Sequence, residues 1–241
     1  MCTVTFVPGK DRIWITSNRD EKYQRPSAIP ASVQQVNGVR VLFPRDSAAQ
    51  GTWIATQENG NAAVLLNGAF EPHAVASSYQ LSRGQVLLQL ISRRQPGLAI
   101  KMFDLSAVEP FTLILWEQEE LNEFRWTGQT LHSKELDPAK SYIWSSVTLY
   151  SKDVIAKREE WFRQFLQNNP EPDANSLINF HRFAGDGNER YSLMMQRDNL
   201  YATVSITNLE CQPQKAVMQY FDSLSNIQTE AILHCVTSLP T

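Results

Sequence analysis

Residues 1–21 read MCTVTFVPGKDRIWITSNRDE, and they contain two β-strand patterns followed by a compact polar group. Cys2, Val4 and Phe6 alternate with threonines, which is the period of a half-buried strand. A second β-rich stretch follows a short Pro-Gly link and runs directly into Asn18-Arg19-Asp20-Glu21. The pattern therefore predicts a β-hairpin whose second strand carries the polar group.

The rest of the chain predicts more hairpins, then helices, then further strands. Asn37-Gly38 is typical of a two-residue hairpin turn because both positions tolerate positive φ, and residues 58–61 predict another hairpin. Amphipathic periodicity predicts three helices, over residues 79–93, 151–167 and 176–183. Pro96-Gly97 is expected to end the first helix. Later strands are predicted over residues 111–116, 123–127, 143–149, 191–196, 201–207 and 216–221, and residues 229–237 fit either a strand or a helix.

This order favours an α+β fold in which two sheets pack face to face with helices on the outside. Because the sequence contains no internal repeat or linker, residues 1–241 are predicted to form a single domain. Hydrophobic residues make up 42% of the chain, which is ordinary for a globular protein.

Composition and charge argue against several classes of protein. The net charge is −3, without a basic run, so we expect no nucleic-acid partner. No stretch approaches the roughly 20 apolar residues of a bilayer span, and residues 1–10 do not resemble a secretory signal. The three cysteines, at positions 2, 211 and 235, show no zinc-site spacing. We therefore expect a cytoplasmic protein with free thiols and no metal site.

Cys2 is the residue with the most distinctive chemistry. Removal of Met1 would leave a cysteine whose α-amine could act as a general base for its own thiol. Arg19 would favour the thiolate and Asp20 could orient the amine. A straight strand places Arg19 and Asp20 on opposite faces, so both reach Cys2 only if the strand ends or bulges there. The alternative is that Cys2 is merely a chain end beside a weak surface ion pair.

Several short motifs resemble the NRDE family, also called the transport and Golgi organisation protein 2 family. The matching motifs are Met1-Cys2, Asn18-Arg19-Asp20-Glu21, Arg25-Pro26, Arg45-Asp46, Gly51-Thr52-Trp53 and Leu66-Asn67. Thr203-Val204-Ser205-Ile206-Thr207 is similar to the bacterial branch of that family. The resemblance implies an αββα four-layer sandwich of two mostly antiparallel sheets flanked by helices, as in N-terminal-nucleophile hydrolases such as penicillin acylase and bile-salt hydrolase.

The resemblance also implies catalytic residues. Cys2, Arg19 and Asp20 match the nucleophile and its two partners, and Asn67 matches an oxyanion-hole donor. A further asparagine is expected near residues 145–147, where Ser146 is the nearest match. A further arginine is expected near residues 203–205, where none occurs. The set of hydrolase residues is therefore incomplete. Loss of one oxyanion-hole donor typically lowers the rate by about 10²–10³.

Finally, the resemblance implies intracellular haem trafficking, with haem as transient cargo exchanged with donor or acceptor proteins. Among the four histidines, His181 is the candidate cofactor-binding residue because its predicted helix lies beside the glycine-rich stretch 184–188. Transient carriage in an apolar cleft would not require an axial ligand. Three hypotheses follow: a carrier of a small hydrophobic ligand such as haem, a cysteine amidohydrolase acting on linear amide C–N bonds, and a structural or interaction protein.

Overall fold

The computed structural model describes residues 3–73 and 79–236. Within them the strands are β1 (Thr3–Pro8), β2 (Ile13–Lys22), β3 (Ile29–Val36), β4 (Val39–Arg45), β5 (Ile54–Gln57), β6 (Ala62–Asn67), β7 (Phe111–Glu117), β8 (Glu120–Trp126), β9 (Leu131–Leu136), β10 (Tyr142–Ser145), β11 (Gln196–Arg197), β12 (Tyr201–Cys211), β13 (Lys215–Asp222) and β14 (Ile227–His234). The helices are α1 (Arg83–Ile91), α2 (Pro96–Met102), α3 (Lys152–Asn168) and α4 (Ala174–Phe183).

The strands form two antiparallel sheets. Sheet 1 has the order β10-β1-β2-β12-β13-β14, with β11 paired to β12. Sheet 2 is a meander in chain order from β3 to β9. The hairpin predicted for the N-terminal segment is confirmed, because β1 and β2 pair directly from Thr3 opposite Asn18 to Pro8 opposite Ile13. This pairing puts the polar group at 18–21 beside the beginning of β1.

Alternating side chains create the layers. Val4, Phe6 and Ile15 of sheet 1 pack against Ile54 and Val64 of sheet 2, which forms the central core. The outer face of sheet 2 is covered by α1 and α2, through residues such as Leu87, Ile91 and Ile100. The outer face of sheet 1 is covered by α3 and α4, through residues such as Val7, Phe162 and Phe180. The αββα sandwich is therefore confirmed.

Turn chemistry and helix caps account for several element boundaries. Asn37 and Gly38 both have positive φ, 52° and 82°, as a tight hairpin turn requires. Ser82 caps α1 in a capping box with Gln85, so the helix begins at Arg83 and not at residue 79. Ser77 and Ser78, which directly precede the predicted helix start at 79, lie outside the described residues.

Other boundaries differ from the sequence predictions. Pro96-Gly97 starts α2 instead of simply ending the helix before it, because proline is favoured at the first helical position. Strand β9 was not predicted, since it is polar and exposed along most of its length. Residues 191–195 form turns instead of a strand, and β10 ends at Ser145. Residues 229–234 of the ambiguous C-terminal segment belong to strand β14, and residue 237 lies outside the described residues. In the part of the chain that the structure describes, no helix combines the length and apolarity needed to cross a membrane.

Candidate functional site

A cavity of about 490 Å³ opens where the ends of β2 and β6 meet the N-terminus of α1. Its lining combines arginines and carboxylates with aromatic and aliphatic side chains. The lining residues are Arg19, Glu21, Arg25, Asp46, Ala49, Gly51, Thr52, Trp53, Leu65, Asn67, Tyr79, Leu81, Ser82, Arg83, Gly84 and Glu109. Two predicted site residues, Arg19 and Asn67, are therefore brought to one concavity although 48 positions (67 − 19) separate them in the sequence.

Arg19 projects from β2 toward the space between the sheets. Its Nη2 donates a hydrogen bond of 2.5 Å to Oδ2 of Asp46. The guanidinium carbon lies 4.7 Å from the centre of the Trp53 ring, which is cation–π distance. Only 3% of the Arg19 side chain is exposed. Arg19 is thus held rigidly by one carboxylate and one aromatic face.

Asp46 is the acceptor that organises this part of the cavity. Arg25 donates to both of its carboxylate oxygens, at 2.8 and 3.0 Å, and the backbone N–H groups of Ala48 and Ala49 donate to Oδ1. Burial by itself would raise the pKa of Asp46, but the bonds from Arg25 and Ala49 and the charge of Arg19 lower this pKa to about 2. Asp46 therefore stays ionised and keeps both arginines in place.

The charges around the cavity balance one another. Oε1 of Glu21 lies 3.9 Å from Nη2 of Arg19 and 3.9 Å from Nε of Arg25. On the opposite wall, Arg83 and Glu109 form an ion pair of 3.0 Å. Three arginines therefore face three carboxylates, so Arg19 adds little net positive potential for a thiolate or another anion.

Asp20 lies on the other face of sheet 1. Its Oδ2 accepts a bond of 2.6 Å from the Tyr150 hydroxyl, and its Oδ1 accepts one of 2.5 Å from Oγ1 of Thr203. Strand β2 continues to Lys22 without a break, and the register shift falls between Thr203 and Ser205 on the neighbouring strand. Arg19 and Asp20 therefore keep opposite orientations, and Asp20 does not line the cavity.

The beginning of β1 lies between β2, which carries Arg19, and β10, whose end is joined to Asn67 through Ser146. Thr3 pairs with Asn18 on one side and with Ser145 on the other. Asn18 directly precedes Arg19 in β2. Ser145 directly precedes Ser146, whose Oγ donates a hydrogen bond of 2.8 Å to the carbonyl oxygen of Asn67. Ser146 thus supports the Asn67 backbone. Cys2 itself lies outside the described residues, so its nucleophile role stays a prediction.

Gly51-Thr52-Trp53 joins the cavity wall to α1. A Cβ on Gly51 would lie 2.4 Å from the carbonyl carbon of Gly84, so only glycine permits this approach of the loop to the helix. The Thr52 N–H donates to the Gly84 carbonyl at 3.2 Å. This contact leaves Trp53 facing the cavity beside Arg19.

His181 does not line the cavity, and its ring is held by neighbouring side chains. It is fully buried behind sheet 1, where Nε2 lies 2.8 Å from Oγ1 of Thr5 and Nδ1 bonds to Oδ1 of Asn18. The Asn18 amide also donates to the His181 carbonyl at 3.1 Å. Burial, followed by the charge of Arg158, lowers the His181 pKa to about 3. His181 therefore ties α4 to the sheet, and cofactor ligation would require both ring hydrogen bonds to break. Its cofactor-binding role stays a prediction.

Sequence reasoning missed Arg158 and Tyr150, which surround the beginning of β1 on the outer face of sheet 1. Arg158 is fully buried and donates to Oγ1 of Thr3 and to the carbonyls of Tyr191 and Ser192. The sequence did contain one indication that Arg158 is buried. Position 158 is four residues from both Val154 and Phe162, so it lies on the apolar stripe of α3. A charged residue on that stripe indicates a buried polar contact.

The chain matches a known protein family in sequence. A model of the Transport and Golgi organisation 2 family matches residues 1–182. No curated protein sequence matches the chain.

Several solved structures are similar in fold. A variant of conjugated bile acid hydrolase from Clostridium perfringens has a TM-score of 0.60 at 10% identity, covering 95% of this chain and 92% of its own. Penicillin V acylase from Agrobacterium tumefaciens has 0.55 at 10%, covering 95% and 85%. The Caenorhabditis elegans ortholog of N-acylethanolamine-hydrolyzing acid amidase has 0.58 at 12%, covering 88% and 93%. At these identities the likeness concerns the fold alone.

Proposed function

Because this chain belongs to the Transport and Golgi organisation 2 family, we propose that it is a cytoplasmic haem-trafficking protein that holds haem transiently in the cavity beside Arg19. The observation that carries the proposal is the cavity itself. Its volume of about 490 Å³ lies within the range of roughly 300–1,000 Å³ that is usual for small-molecule sites. Its lining also combines the two kinds of surface that haem needs.

Haem is a flat apolar ring system that carries two carboxylates. Trp53, Leu65 and Leu81 offer apolar contact to the ring system. Arg25 and Arg83 are the more exposed guanidinium groups of the lining, at 31% and 18%, and can pair with the carboxylates. Because Arg19 covers one face of Trp53, the proposed orientation places the ring system against the edge of Trp53 and against Leu65 and Leu81, with the carboxylates toward the two arginines.

The same cavity favours release as well as binding. Asp46 and Glu109 already neutralise Arg25 and Arg83, so the haem carboxylates must compete with them. Among the lining residues that the structure describes, none is a cysteine or a histidine that could serve as an axial ligand. We therefore expect a dissociation constant in the micromolar range, which suits a transient cargo better than a resident cofactor.

Titration of the purified protein with haemin, followed by the Soret band, tests the proposal. We expect saturable binding of one haemin per chain. Arg83→Ala should weaken it at least fivefold, because one charge-assisted pair is worth about 1.5–3 kcal/mol. Arg163→Ala is the matched control, since Arg163 is an exposed arginine of α3 outside the cavity lining. Absence of a saturable Soret shift, or equal weakening by both variants, would overturn the proposal.

A cysteine amidohydrolase acting on linear amide bonds is the second candidate. One observation favours it: Arg19 and Asn67 line the same cavity. Thr3, the neighbour of Cys2 in the sequence, pairs with Asn18, which precedes Arg19, and with Ser145, which precedes the Ser146 that bonds to Asn67. Other placements argue against it. Asp20 faces away from the cavity, and the Ser146 hydroxyl is already bonded to the Asn67 carbonyl.

Mass spectrometry separates the two candidates. The hydrolase requires loss of Met1 and an acyl adduct on Cys2 after treatment with an activated acyl ester, with no adduct in Cys2→Ala. The carrier predicts that haemin affinity is unaffected by whether Met1 is retained. An acyl adduct on Cys2 that turns over, together with no haemin binding, would favour the hydrolase.

A further inference from the structure

The edge strands of the two sheets lie side by side along one border of the sandwich. Strand β14 is the last strand of sheet 1, β3 is the first strand of sheet 2, and the two strands are in contact. Half of the large hydrophobic side chains that are exposed in the described part of the chain belong to these two strands or to residues that flank β14. They are Ile29, Val33, Leu224, Ile227, Ile232 and Val236. Apolar side chains concentrated on one border are typical of an interaction surface.

This β3–β14 border lacks the charges that normally protect an edge strand from association. Strand β3 contains no charged residue, and β14 contains only Glu230 and the titratable His234. By contrast, β9 at the opposite edge of sheet 2 is exposed and carries Lys134 and Glu135. Natural proteins commonly place charges on edge strands that must stay solvated. The border therefore fits a partner surface that is apolar and nearly uncharged, and a second copy of the same border meets that description.

Hydrogen bonds just beyond β14 show which backbone groups of the strand point away from sheet 1. The Cys235 N–H donates to the carbonyl of Gln214, on the β13 side, at 2.9 Å. The Val236 N–H donates away from β13, to the carbonyl of Glu58 at 2.7 Å. Backbone groups alternate in direction along an edge strand, so the even-numbered residues of β14 turn their N–H and C=O groups to the open edge.

The C-terminal end of this edge is already covered by its own chain. Arg40 donates a hydrogen bond to the His234 carbonyl at 3.3 Å, and the bond from Val236 to Glu58 lies directly beyond it. A second strand can therefore pair only with residues 226–232.

Antiparallel pairing of two copies about Thr229 fits this stretch. It matches outward backbone groups with outward backbone groups, and it places Gln228 of each copy opposite Glu230 of the other. A glutamine amide opposite a glutamate carboxylate is a favourable cross-strand pair, and two-fold symmetry supplies this pair twice. Pairing about Glu230 would instead oppose two like charges. Thr229 would oppose its own copy, and its hydroxyl, which has no hydrogen-bond partner in the described chain, would gain one by rotation about χ1.

We infer that this protein forms a two-fold symmetric dimer in which β14 pairs with β14 of a second copy. The two copies of sheet 1 then join into one continuous sheet, and the apolar side chains of the β3–β14 border are covered. The inference is independent of the proposed function, because no residue of β3 or β14 lines the cavity.

Sedimentation equilibrium of the full chain at micromolar concentrations tests the inference. We expect a mass of twice the 27.4 kDa of one chain. Gln228→Glu sets like charges opposite each other twice and should weaken dimerisation about fivefold, whereas Gln228→Lys pairs with Glu230 and should strengthen it by a similar factor. Both changes are at one exposed position, and Ser133→Glu on the exposed strand β9 is the control that should leave the dissociation constant unchanged.

Oxidative cross-linking tests the register. Thr229→Cys should give a disulfide between the two introduced cysteines, because directly opposed side chains in a non-hydrogen-bonded pair lie closest together. Ser133→Cys should give no cross-linked dimer, and peptide mass spectrometry separates the new disulfide from the native thiols.

A monomer throughout the micromolar range overturns the inference. A dimer whose dissociation constant responds equally to Gln228→Glu, Gln228→Lys and Ser133→Glu overturns it as well, because association would then not involve this edge. A dimer without the disulfide in Thr229→Cys overturns the pairing about Thr229.

Discussion

Arg19 and Asp20 are adjacent in the chain, yet they serve different layers of the molecule. Arg19 faces the cavity, where Asp46 and Trp53 hold it, and Asp20 faces Tyr150 behind the sheet. Strand alternation predicts this split from the sequence alone. The partner of Asp20 could not be predicted, because Tyr150 is 130 positions (150 − 20) further along the chain and only the packing of α3 brings it close.

Asp46→Asn should destabilise the protein, because Arg19 and Arg25 would lose their shared carboxylate. We expect the free energy of unfolding at pH 7 to fall by about 2–4 kcal/mol. The pKa of Asp46 is about 2, below its unfolded value near 4, so its contribution is present above pH 4 and is lost as pH falls from 4 to 2. Urea unfolding at pH 7, 4 and 2.5 measures both effects.

Asp137→Asn is the control for this prediction, since the Asp137 side chain is 46% exposed and lies in a turn. It should change the free energy of unfolding at pH 7 by less than about 0.5 kcal/mol. Equal effects of the two substitutions would mean that Asp46 does not organise the cavity.

Elements with strong local signals were predicted from the sequence, and elements determined by long-range contacts were not. The turn at Asn37-Gly38 and the long amphipathic helix α3 have their causes within a few residues. Strand β9 is recognisable only by its pairing with β8, because its own side chains are mostly exposed. The closeness of Gly51 to α1 is a tertiary contact, although Gly51-Thr52-Trp53 stands out in the sequence.

Gly51→Ala tests the contact between the cavity wall and α1. The added methyl would lie 2.4 Å from the carbonyl carbon of Gly84, so the loop or the helix must move. We expect a loss of about 1–3 kcal/mol in the free energy of unfolding together with weaker haemin binding. Gly38→Ala is the matched control: its φ of +82° makes alanine costly, but there is open space around it and it lies outside the cavity lining. Unchanged haemin affinity in folded Gly51→Ala would contradict the role of this contact.

At the scale of the whole molecule, the four layers follow from alternation along the strands and from the apolar faces of the helices. The order of strands in sheet 1 could not be predicted, since β12 joins β2 across 178 intervening residues (201 − 22 − 1). The outer layer also contains polar contacts that join distant elements. His181 and Asn18, for example, connect α4 to β2 beneath the helices.

The burial of His181 makes the stability of the whole fold depend on pH. His181 has a pKa of about 3 when folded and near 6.5 when unfolded, so the unfolded chain binds an extra proton between these values. The free energy of unfolding should therefore decrease as pH falls below 6.5, by up to about 1.4 kcal/mol per unit from this one group. Denaturant unfolding between pH 7.5 and 4.5 should give a flatter curve for His181→Gln. His132→Gln, a change at an exposed histidine, is the control and should retain the wild-type slope. A wild-type slope in His181→Gln would refute the role of the buried His181 in this pH dependence.

The central claim is that the cavity beside Arg19 receives the cargo, and a crystal structure of the protein grown with haemin tests it most directly. We predict electron density for one haem against Trp53 and Leu65, with its carboxylates directed toward Arg25 and Arg83. Haem bound at a different surface, with this cavity unchanged, would contradict the claim.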